Sequence, residues 1–131
     1  MENMKNNQTK LRPEIQSLKI TESMSEEEKF QNKVLRPVIK MKHEILIAHF
    51  KNYVALSKRP WKELSDSRKI NFIENIFSRD LSFRNEVRGL VIGQFTLEEY
   101  SQYAKILRGS NKRMNNIIKE RIMSHLDILS Q

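Results

Sequence analysis

The chain contains no cysteine, which excludes a disulfide framework, a thiol nucleophile and a cysteine-ligated metal. Glycine and proline are scarce, three of each in 131 residues, and so few chain-turning residues argue against a turn-rich β fold. No apolar run approaches the ~20 residues that a membrane span needs. The opening MENMKNNQTK lacks the apolar centre of a signal peptide. Phosphate-cradling glycine motifs, an H-E-x-x-H pair and a nucleophile elbow are all missing. The histidines are His43, His49 and His125, and the first two stand six apart, off the i, i+4 relation of a helical ligand pair. The expectation is a soluble, cytoplasmic, bacterial-type protein with no metal site, no cofactor and no catalytic set, leaning away from an enzyme.

What the chain does have is positive charge, +8 in all. It is unevenly placed. Residues 29–69 hold eleven basic and three acidic groups, and 105–131 hold six and two. Residues 21–28 hold four acids and no base. Two basic blocks that could share a face favour an anionic partner: nucleic acid, an acidic protein surface or anionic lipid. With 38% hydrophobic and 31% charged residues, one small helical domain with long solvated faces is the economical reading.

The chain divides into a flexible N-terminal segment, 1–24, and a helical domain, 25–131. Residues 1–10 are polar and asparagine-rich and read as a disordered tail. In 11–24, LRPEIQSLKITESM, the residues Leu11, Ile15 and Leu18 could form a short helical face beside Arg12. Either this stretch packs loosely on the domain, or it docks a protein partner through Leu11, Arg12, Ile15 and Leu18. Leu11-Arg12-Pro13-Glu14-Ile15 recurs as Leu35-Arg36-Pro37-Val38-Ile39, an echo that shared helix-start chemistry explains as well as duplication does.

Ser25 and Glu28 form a capping box, so a helix starts at Glu26, and Pro37 kinks or restarts it. Residues 38–56 are densely apolar, as expected of a central helix contacted from two sides. The stretch SKRPWKELSDS interrupts it, with Trp61 and Leu64 anchoring the loop and Ser65 or Asp66 capping a helix over roughly 67–78. Ile70, Ile73, Ile76 and Phe77 would be its buried face. Asp80 opens a further helix that closes near Gly93, and Gly89 within it would serve close helix approach.

The chain ends in a helical hairpin. Thr96 and Glu99 make a second capping box, with Phe95 and Tyr100 at the spacing of a hydrophobic staple. Gly109 would end the first arm in the left-handed conformation and Ser110 would cap the second. Met114, Ile117, Ile118, Arg121, Ile122, His125, Leu126 and Leu129 then share one helical face. The result is an all-α single domain of five or six helices.

The hairpin copies the outline of a helix–turn–helix module, in which Asn111, Lys112, Arg113, Asn115, Asn116, Lys119 and Glu120 would face a major groove. Against it, the second arm is long and apolar along its length, and Lys105 falls where such modules place a small buried residue. An ordinary packing hairpin explains the same pattern. Phosphate binding asks only for clustered cations. Lys58, Arg59, Lys62, Arg68 and Lys69 surround Trp61, and Arg108, Lys112 and Arg113 surround the last turn. Trp61 could stack on a base or plug the space between two helices.

LRPEIQ, KITESMS, FQNKVLRPVIK, IGQFTLEEY and SNKRMNNIIKERI, in this order, resemble a small family of all-helical bacterial proteins, some of which carry the name glyoxalase. The resemblance runs from Leu11 to Leu129. That name implies isomerisation of a hemithioacetal on a divalent metal held by His, Glu and Gln, in a βαβββ fold. No residue of this chain takes over a ligand role from it.

Three functional readings follow. The first is a non-enzymatic basic protein engaging nucleic acid or a nucleoprotein assembly. The second is a protein-interaction adaptor using 11–24, and the third is a glyoxalase-like lyase. A homodimer would also cover the wide apolar face of 38–56.

Overall fold

A computed structural model describes residues 12–13, 20 and 22–126. Four side chains start helices by accepting the orphan N–H groups of a first turn. Ser25 accepts from the Glu28 amide and opens α1 (Glu26–Phe30). Ser65 accepts from the Arg68 amide and opens α4 (Asp66–Arg79). Asp80 accepts from the Phe83 amide and opens α5 (Leu81–Ile92). Thr96 and Glu99 complete both bonds of a capping box at α6 (Leu97–Lys105). At Ser25 the box is only half made, because Glu28 accepts from the Ser25 hydroxyl, 3.4 Å away.

Between α1 and α2 (Arg36–Met41) the chain makes one wide π turn, Gln31–Leu35. Pro37 is the physical cause: it has no N–H to give Lys33, and its ring would strike that carbonyl in a regular α turn. The Arg36 amide instead bonds one residue further back, to Gln31. Pro37 sits in the first turn of α2, where the α pattern restarts after the π turn, and it is buried there.

A break at Lys42 (φ −93°, ψ 13°) separates α2 from α3 (His43–Ser57). The expected single helix over 38–56 is thus two segments, and it is buried on one side only. Leu46, Ile47, Phe50 and Val54 face inward, while Ile45 and Leu56 are exposed. Lys58 ends α3 in the left-handed region, φ 58°, and a 3₁₀ turn, Trp61–Glu63, leads on to α4.

The last helix, α7 (Leu107–Met123), lies at the centre. Every other helix touches it. Met114, Ile118 and Ile122 are fully enclosed and Ile117 nearly so. The turn that precedes it falls at Ile106 (φ −126°, ψ 35°) rather than at Gly109. Gly109 lies inside the helix, and no glycine has a positive φ among the described residues. Its lack of a side chain serves packing: a Cβ there would stand 3.2 Å from Glu27 Cγ, so α1 and α7 can approach closely. Ser110 is likewise a fully buried residue of the helix and not its cap.

Two aromatic clusters close the ends of the bundle. Phe50, Phe83, Trp61, Phe72 and Tyr53 meet mostly edge-to-face at one end, the arrangement ring quadrupoles favour. Phe30, Phe95 and Tyr103 form the other. Phe95 therefore packs on Tyr103, while Tyr100, its expected staple partner, is half exposed. Gly89 has open space where a Cβ would sit, so close helix approach is not its use.

The fold is all-α, and no strand occurs among the described residues. No helix among them is long and apolar enough to cross a membrane. If α7 is the common core, Ile118→Ala should destabilise by about 2–5 kcal/mol. Leu97→Ala, at an exposed position of α6, should stay within about 0.5 kcal/mol. Urea unfolding of both variants checks this.

Candidate nucleic-acid interface

Two basic residues of the 58–69 stretch, Arg59 and Arg68, line an open cleft of about 660 Å³. Tyr53 comes from α3, Arg59 and Leu64 from the loop, and Asp80, Leu81 and Ser82 from the start of α5. The long wall is α4. Arg68, Asn71, Asn75 and Arg79 follow one another at steps of three and four along its outer face, with Phe72 and Ile76 below them. The same helix turns Ile73, Ile76 and Phe77 into the core, and its polar row is the complement of that apolar stripe.

Arg59 reaches the cleft because Lys58 turns the chain back. Its guanidinium carbon lies 5.3 Å from the centre of the Phe72 ring, a cation–π contact. Tyr53 donates to Asp80 Oδ2 at 2.7 Å, and the Phe83 amide donates to Asp80 Oδ1 at 3.0 Å. Both carboxylate oxygens are therefore engaged. The Phe83 amide and the Tyr53 hydroxyl hold the Asp80 carboxyl below its ordinary value. Burial and that same bond push the Tyr53 phenol up to about 12. The acid in this cleft is a helix cap, and three guanidinium groups and two primary amides remain for a ligand.

The predicted residues divide. Arg59 and Arg68 line the cleft. Lys58 and Lys62 are exposed on the neighbouring loop. Lys69 does not belong to the surface: it is buried, with its ammonium 5.5 Å from the Trp61 ring. Ile70, expected inside, is more than one-third exposed in its stead. Trp61 is itself buried between Phe50 and Phe72, so it plugs the core and offers no face to a base.

The second basic block lines a different cleft, of about 570 Å³, between α1–α2 and α7. There Arg36, Lys112 and Arg113 are offset by Glu27 and Glu120, and Arg113 donates to Gln31 Oε1 at 2.6 Å. Arg108 is exposed on the first turn of α7. The cations expected around Trp61 and those expected around the last turn line different clefts, although Arg36 of the first block joins Lys112 and Arg113 in the second. The helix–turn–helix outline also fails on geometry. Its would-be recognition helix is α7, whose inner face is the core of the bundle. Of the expected contact residues Asn111 accepts from the Tyr103 hydroxyl and Lys119 pairs with Glu74 at 3.1 Å, while Lys112, Asn116 and Glu120 are exposed.

Comparison with protein-family models, with curated proteins and with solved structures finds no match for this chain. The site must speak through its own chemistry.

Asn71, Asn75, Arg79, Tyr53 and Phe72 were not among the residues singled out by sequence. The three-and-four spacing of Arg68, Asn71, Asn75 and Arg79 was the available signal.

The divalent metal implied by the glyoxalase name does not fit the histidines. His43 and His125 lie 4.4 Å apart, but the third member of their group is a cation: Arg121 Nη1 stands 3.3 Å from His43 Nδ1. His49 stacks on Phe83, with Glu86 3.4 Å from its Nε2. Among the described residues no three His, Asp or Glu side chains converge as a metal site.

Of the docking residues only Arg12 lies among the described residues; Leu11, Ile15 and Leu18 lie outside them. Arg12 is already engaged within the chain. Its guanidinium grips both oxygens of Glu99, at 2.5 and 2.7 Å, and donates to the Gln94 carbonyl at 2.6 Å. Burial pushes the Glu99 carboxyl up, but the bonds from Arg12 and the Thr96 amide outweigh it and hold the group below its ordinary value. The tail is thus fastened to the capping box of α6 by a bidentate pair.

Arg12→Ala should cost about 1.5–3 kcal/mol, the scale of hydrogen bonds to a charged group, and Arg12→Lys should recover only part because it lacks the fork. Thermal unfolding measures both. The histidine group sets a pH dependence. Burial, His125 and Arg121 hold His43 below its ordinary value of 6.5 in the folded chain, with Glu44 opposing. The unfolded chain therefore binds the extra proton more readily, and this contribution to stability is present above about pH 6.5 and lost as the pH falls below it. The drop in Tm between pH 7.5 and 5.5 should be smaller in His43→Phe than in the native chain.

Proposed function

We propose that this chain is a non-enzymatic binding protein that engages nucleic acid, free or within a nucleoprotein assembly, through the arginine cleft along α4. The observation that carries the reading is the convergence of Arg59, Arg68 and Arg79 on one open cleft whose single acid, Asp80, is occupied as a helix cap. Guanidinium groups are suited to phosphate because their fork matches two phosphate oxygens at once. Asparagine amides between them add donors and acceptors of the kind that read base edges. The +8 balance of the chain adds long-range attraction for a polyanion. The titratable groups of the cleft are committed to structure: burial and the bond to Asp80 push the Tyr53 phenol up to about 12, and both Asp80 oxygens already accept hydrogen bonds.

The test is capture of the tagged full chain from lysate at low salt, with and without nuclease. Nucleic acid should co-elute at about 50 mM salt, and three phosphate contacts predict a log–log salt slope of about −2 to −3. Binding that ignores salt, or no retained nucleic acid, overturns the reading. A protein companion that persists through nuclease would favour an adaptor acting through 11–24.

A further inference from the structure

The shape of the arginine cleft narrows the class of ligand, an inference that rests on the nucleic-acid reading above. We infer that the cleft is a track for single-stranded nucleic acid, with phosphates on Arg68 and Arg79 and a base entering over Phe72. The rim is exposed along its length at Arg68, Asn71, Asn75 and Arg79, so a chain can run in at one end and out at the other. Arg68 and Arg79 are eleven residues apart on one helix, which sets them about 16 Å apart along its axis. That is the span of a short stretch of strand and more than a single phosphate needs.

The floor decides between strand and duplex. Phe72 is half-buried beneath the arginine row, and a flat cation, Arg59, already rides over its ring. A base has the same planar form and can take that place, freeing Arg59 for a phosphate. In a duplex the base faces are stacked inside, with phosphates outermost, and none can reach a recessed ring. A single strand can turn its bases inward while its phosphates follow the rim. Recognition of this kind tolerates many sequences, because every base has a π face.

The sole tryptophan gives a local reporter, since the Trp61 ring lies 5.7 Å from Phe72. The experiment titrates the full chain with labelled mixed-sequence 12-mers, single-stranded RNA, single-stranded DNA and duplex DNA, reading anisotropy and Trp61 emission across salt. Single strands should bind more tightly than duplex and perturb Trp61 emission. Arg68→Gln/Arg79→Gln, at exposed positions, should lower single-strand affinity on the order of tenfold and flatten the salt slope by about 1.4. Phe72→Leu should lose about fivefold with the slope unchanged. The control Arg108→Gln/Lys112→Gln should leave single-strand affinity and Trp61 response intact. The RNA and DNA arms show which sugar is preferred, and either preference is consistent with the track.

Equal or tighter duplex binding overturns the single-strand inference and leaves the broader reading standing. Single-strand binding that the double arginine variant does not alter, with silent Trp61 emission, overturns it too and moves the contact elsewhere. Failure of every oligonucleotide to bind at low salt removes both.

Discussion

Burial of one face of α7 is the constraint on which the rest of the structure depends. Met114, Ile118 and Ile122 are fully enclosed, and the helices touch one another largely by way of touching α7. A helix with an apolar stripe on one side usually needs one neighbour. Here the stripe is shared among several, and the cost falls on its approach geometry. Gly109 is the residue that meets that cost, by leaving room for the Glu27 side chain of α1. A side chain there would crowd Glu27, which would have to shift.

The same arrangement separates the positive charge into two surfaces of different character. Around α7 acids share the cleft with the cations: Arg113 donates to Gln31, Lys119 pairs with Glu74, and Glu27 and Glu120 line the same cleft as Lys112. Along α4 the acid that lines the cleft with Arg59, Arg68 and Arg79 is Asp80, which caps α5 and holds the Tyr53 hydroxyl. Proximity in sequence to a basic block is therefore a poor guide to which cations are available. The count of opposing groups in each cleft is the better one.

Much of the fold was legible before any coordinates. Ser25, Asp80 and the Thr96–Glu99 box start helices where their chemistry says they should, since a cap is a bond between residues three apart and needs no tertiary partner. The buried identities of α7 were legible too, since a 3.6-residue period survives in any context that has a core. The candidate site was only half legible. Arg59 and Arg68 were named, whereas Arg79 and the two asparagines went unnoticed on the polar face of the same helix. Leu11, Ile15 and Leu18 lie outside the described residues, and Arg12 closes on Glu99 of the domain.

The sequence by itself determined the helical class, the caps at Ser25, Ser65, Asp80 and Thr96, and most of the apolar face of each helix, because those are set by interactions a few residues long. Only the tertiary structure decided that Gly109 is a contact and not a turn, that Lys69 and Trp61 are inside, and that Arg12 closes on Glu99. It also decided that Arg59 and Arg68 line one cleft while Lys112 and Arg113 line another, beside Arg36. Each of those outcomes depends on what another helix brings to the same point in space, and that information is distributed over residues as many as 87 apart.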